Sequence, residues 1–109
     1  MAQFMVTAIY TDSAFAGMSN NPHNREEAIS KILSTLDMSL ETLHMTLDGK
    51  LFMLVSGTAE AVGALMIVAG ASGSVTDITV DEVFSAGQHM SWMESASAAM
   101  GSYKPANAR

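Results

Sequence analysis

The chain contains no cysteine, two prolines and one tryptophan, and its five basic residues face eleven acidic ones. Without cysteine there is no disulfide framework and no thiolate metal site, so stability must come from packing. With no Lys or Arg run and a formal net charge of −6, nothing draws the chain to nucleic acid or to an anionic membrane surface. Neither is expected as a partner. The amino terminus, MAQFMVTAIY, lacks the basic, apolar, small-residue order of a secretory signal, and a reducing cytoplasm is the expected location. An uninterrupted membrane span is missing too. LFMLVSGTAEAVGALMIVAGAS has the length for one, but Thr58 and Glu60 divide it where a strand would hand over to a helix.

What is present is 49% hydrophobic content in 109 residues, enough for one core and not for two. QFMVTAIYT is β-branched, aromatic and apolar at nearly every position, which predicts a strand buried on both faces at about residues 3–10. Asn24 with Glu27 three positions later has capping-box spacing. Ile29, Ile32, Leu33 and Leu36 then recur at i, i+3, i+4 and i+7, predicting a helix over about residues 22–38. LETLHMTL and LFMLVS flank Asp48-Gly49-Lys50, a hairpin signal. Thr58 can cap a helix over about residues 59–71, with Val62, Leu65, Met66 and Ala69 in one stripe and Gly70 or Gly73 at its end. That helix is apolar all round and calls for a second surface to cover its outer side.

VTDITVDEVF follows, with Ile78, Val80 and Phe84 alternating against Asp77, Thr79 and Asp81, a strand with one core face and one polar face. The last segment, SAGQHMSWMESASAAMGSY, puts Trp92, Met93, Ala96, Ala99, Met100 and Tyr103 on one helical stripe. The expected fold class is therefore α+β, a ferredoxin-like βαββαβ unit with an added C-terminal helix. The α/β domain spans residues 1–84, the amphipathic helix spans 85–103 and packs on the same domain or on a partner chain, and 104–109 form a loose tail. In this pattern both internal helices cover one sheet face. The other face is too apolar to stay in water.

FMVTAIYTD, EEAISKIL, LETLHMTLDGKLFMLV and VTDITVDEVFS together resemble the layout of GYD-domain proteins over roughly residues 3–90. Asp48-Gly49-Lys50-Leu51 stands where the family has its Gly-Tyr-Asp turn. The resemblance implies a dimeric α/β barrel, in which two ferredoxin-like sheets pair through their open faces around a cavity. The family is similar to many small bacterial proteins without an established activity, so it implies a fold and an assembly and no reaction.

His44 is the residue with the most chemical potential. Strand alternation sets Leu43, Met45 and Leu47 toward the helix-covered core and Thr42, His44 and Thr46 toward the open face, where Asp77, Thr79 and Asp81 are also expected. An imidazole near a carboxylate can act as general acid or base or orient a ligand. It can equally do no more than hydrogen-bond a neighbouring threonine or carbonyl in a dimer contact. The two aspartates have their own plain reading, as charges that keep an edge strand soluble.

Ten methionines with His23, His44 and His89 raise a copper(I) reading, but the spacing does not support one and no metal or cofactor is expected. GASGSV follows a helix instead of preceding one, and reads as a turn. Two functional classes follow. One is a small-ligand protein or cofactor-free enzyme that uses His44, lined by Tyr10, Thr42, Thr46, Asp77 and Thr79. The other is a non-catalytic assembly or regulatory module with a dimer interface filled by Met5, Phe52 and Met53. In both, the partner is another copy of the chain.

Overall fold

Eight elements follow one another along residues 1–107, the part of the chain that the computed structural model describes; positions 108 and 109 of the expected tail lie outside the described residues. They are β1 (Ala2–Tyr10), α1 (Asp12–Asn20), α2 (Arg25–Thr35), β2 (Ser39–Met45), β3 (Lys50–Gly57), α3 (Ala59–Ser72), β4 (Val75–Val83) and α4 (Ala86–Met100). The strands form one sheet in the order β2-β3-β1-β4, with every neighbouring pair antiparallel. The architecture is α+β, a four-stranded antiparallel sheet with four helices, and is compatible with the ferredoxin-like expectation. Among the described residues, no helix is long and apolar enough to cross a membrane.

The core lies on one side of the sheet. Phe4, Val6, Ala8 and Tyr10 of β1 and Leu51, Met53 and Val55 of β3 alternate onto that side, where Ile29 and Leu33 of α2 and Val62 and Leu65 of α3 meet them. Val6, Leu33 and Val55 are its most completely buried large side chains. The stripes that the sequence marks on both helices are the ones that pack. On α3 the outer residues Ile67 and Val68 stay exposed, as the all-round apolarity of that helix requires.

Helix α1 has no counterpart in the sequence reading. Thr11 caps it, its hydroxyl accepting from the Ala14 amide at 3.3 Å and donating to the Gly73 carbonyl at 2.7 Å, which ties β1 to the end of α3. It buries no residue fully; Ala14 and Met18 pack at the core margin, and Phe15 meets the Tyr10 ring edge-on at 6.2 Å. The next helix is shorter than expected, beginning at Arg25 after the Asn24 cap and ending at Thr35.

The hairpin strand also ends early. Thr46 closes the turn, its amide donating to the Lys50 carbonyl at 2.9 Å and its hydroxyl accepting from the Lys50 amide at 3.0 Å. Leu47, expected in the core, is consequently in the turn and fully exposed, Met45 is half exposed, and Leu43 alone of the three packs against the core.

At the other end of the sheet, β4 carries a bulge: its register against β1 shifts between Thr7 and Ile9, and Asp77 takes a left-handed φ of 50° there. The strand stops at Val83, so Phe84 leaves the core alternation and stacks edge-on against Trp92 at 4.7 Å between ring centres. Ser85 and Gln88 form a reciprocal capping box that launches α4. Every residue of α4 is exposed, so its stripe is not buried on the domain that carries it. The helix projects, and the molecule is 66 Å long against 29 and 24 Å across.

Candidate functional site on the helix-free sheet face

Strand register lays out the uncovered face in rows. His44 of β2 stands opposite Phe52 of β3, Phe52 opposite Thr7 of β1, and Thr7 opposite Thr79 of β4, so one row crosses all four strands. The Thr7 and Thr79 hydroxyls hydrogen-bond to each other. The neighbouring row is Thr42, Leu54, Met5 and Asp81. Ile9 and Lys50 flank the first row on one side, and Val83, Gln3 and Ser56 flank the second. The middle of the face is thus Met5, Thr7, Phe52 and Leu54, and ionisable groups stand at its margins.

His44, Thr42 and Thr79 occupy this face as rows dictate, with the His44 ring exposed. The sheet keeps His44 apart from the acids, however. His44 is on one edge strand and Asp81 on the other, three strand spacings or roughly 14 Å away. Glu41, on the same strand as His44, accepts from the Ser56 hydroxyl at 2.9 Å, so among the described residues of one chain no imidazole–carboxylate pair forms at this face.

The remaining expected residues do other things. Asp77 is the extra residue of the β4 bulge, so simple alternation does not place it on the row. Thr46 is spent on the hairpin turn, where its hydroxyl donates to Asp48. That bond holds the Asp48 carboxyl below its ordinary value; desolvation opposes it, and the Lys50 ammonium at 3.5 Å adds to the lowering.

Tyr10 is a correction. It was expected to line the open face, but it lies in the helix-covered core with Phe4, Val6 and Ala8. A strand apolar on both sides gives no polar alternation from which to choose its inner face, and the choice falls to the register with β3. Met53 is likewise in the core, which leaves Met5 and Phe52 as the bulky side chains available to fill an interface.

The other histidines are remote from this face. His23 accepts at Nε2 from the Arg25 guanidinium at 2.9 Å, which leaves the ring proton on Nδ1 to donate to the Asn21 carbonyl at 2.7 Å. His89 packs edge-on to Trp92 on α4. Among the described residues no three His, Asp or Glu side chains converge as a metal site. No family model matches the chain, and no curated protein matches it either.

Proposed function

We propose that the chain is a homo-oligomeric protein of the GYD type, in which the helix-free sheet face of one copy pairs with that of another as in a dimeric α/β barrel, and His44 contacts a small ligand held between them. The observation that carries this reading is the Met5, Thr7, Phe52 and Leu54 patch at the centre of an uncovered sheet. Burying a large apolar side chain of this kind contributes about 1.5–3 kcal/mol. A second sheet stacked roughly 10 Å away covers all of them at once.

Pairing also completes the chemistry that one chain lacks. A two-fold axis along the strands sets β2 of one copy over β4 of the other, and so brings the partner subunit's Asp81 toward the His44 edge. An imidazole with a carboxylate beside it can take a proton from a ligand or orient it. The second reading, a non-catalytic assembly module, is favoured by Met5 and Phe52, which are large enough to fill the space between two sheets. The expected cytoplasmic setting belongs to both readings.

The test of the pairing surface is Leu54→Glu. Leu54 lies between Thr42 and Met5 on the open face, so a carboxylate there meets water in a single chain and is buried unpaired in a paired one. The variant is expected to keep its far-ultraviolet circular dichroism and to fall to the 11.5 kDa mass of one chain. An oligomer unchanged by this substitution would place the contact elsewhere.

A further inference from the structure

On the opposite, helix-covered side a cavity of about 250 Å³ lies between the sheet, α2 and α3. Its walls are apolar: Ile29 and Ile32 of α2, Leu65 and Met66 of α3, and Met53 and Ile78 of the sheet. Four polar side chains interrupt that lining: Ser72, whose hydroxyl donates to the Ala69 carbonyl at 2.7 Å, Ser74, Tyr10 and Arg25. Tyr10 is only 7% exposed, and its hydroxyl has no hydrogen-bond partner among the described residues. The Arg25 Nε–H is buried and equally without a partner, while its Nη1 donates to His23.

Topology puts both at one end of the cavity, since Tyr10 ends β1, Arg25 begins the helix that runs back over the sheet, and Val75, the partner of Tyr10, begins β4. No carboxylate lines the cavity, and Arg25 has no acidic partner within salt-bridge distance among the described residues.

Buried donors without acceptors are rare because each forfeits its bond to water. Two of them, one carried by a cationic side chain, at the end of a largely apolar space call for an acceptor that bears negative charge. We propose that this cavity binds a small apolar carboxylic acid in its ionised form, with the carboxylate accepting from Tyr10 Oη–H and Arg25 Nε–H and the hydrocarbon part lying among Ile29, Leu65 and Met66. The N-terminus of α2, at which Arg25 stands, adds a favourable dipole for the negative charge. A sugar sets most of its hydroxyls against apolar side chains, a free phosphate leaves the apolar part of the cavity unfilled, and a pure hydrocarbon leaves both donors unpaired. The volume is below the roughly 300 Å³ at which pockets for drug-sized ligands begin, which restricts the ligand to the size of an aromatic acid or a medium-chain fatty acid. This site is independent of the sheet pairing proposed above.

Isothermal titration of the full chain with hexanoate, octanoate, decanoate and phenylacetate, each beside its matching alcohol, tests the proposal. At least one acid is expected to bind saturably and about tenfold or more tighter than its alcohol, because a charge-assisted bond to Arg25 is available only to the carboxylate. Arg25→Gln is expected to remove most of that discrimination, weakening the acid about tenfold or more and the alcohol far less. Leu65→Trp, which fills the cavity, is expected to abolish both, and Arg25→Gln remains decisive if the tryptophan variant does not fold. Equal binding of acid and alcohol, acid binding unaffected by Arg25→Gln, or no saturable binding by any of the four acids would overturn it.

Discussion

His44 and Phe52 face one another across the β2–β3 pair, on the side of the sheet that no helix covers. The register sets the one titratable ring of that face opposite its largest apolar side chain, and both are exposed. What fills that space decides whether His44 is a ligand contact or part of a packed interface.

The hairpin turn depends on Gly49. Its φ of 90° is disfavoured for any L side chain, and a Cβ there would stand 2.5 Å from the Phe15 ring. Gly49→Ala is expected to destabilise the chain by about 1–2 kcal/mol, read as a lower midpoint in urea with an unchanged slope. An unaltered midpoint would show that the turn and α1 adjust freely.

Tyr10→Phe separates a structural hydroxyl from a functional one. Removing a buried hydroxyl that has no partner is expected to leave the ligand-free chain equally stable or up to about 1 kcal/mol more stable. A loss larger than that in the same unfolding measurement would mean that the hydroxyl is satisfied in the native state.

Helix α4 exposes Trp92, Met93 and Met100 and includes Gly87 and three serines, a poor composition for a helix standing alone. Its helicity is expected to rise with protein concentration as another copy covers that stripe, and Trp92→Ala is expected to weaken the rise. Circular dichroism across a dilution series measures both. A signal independent of concentration down to the monomer would mean that α4 is stable without a partner.

Much of the fold is legible in residue order because burial and pattern agree in β3, α2 and α3: Leu51, Met53 and Val55 alternate inward, and Ile29, Leu33, Val62 and Leu65 follow helical spacing. The illegible parts are those where packing contributes little or where two faces compete. DSAFAGMSN carries a glycine, two serines and a single half-buried i, i+4 pair in Ala14 and Met18, too weak a stripe to mark α1 in the sequence. Alternation alone does not place Tyr10, because β1 is apolar on both sides. The bulge at Asp77 and the early turn at Thr46 each shift alternation by local backbone geometry that a period of two does not contain. No motif marks Arg25, because its part in the cavity arises from the start of α2 meeting the end of β1, a relation between residues apart in sequence.

The central claim is that a second copy covers the helix-free face of the sheet, and the molar mass of the unmodified chain in solution tests it most directly. Multi-angle light scattering at micromolar concentration is expected to give at least twice the 11.5 kDa of one chain. A single species at 11.5 kDa under those conditions would contradict the claim, because the Met5, Phe52 and Leu54 patch would then be facing water.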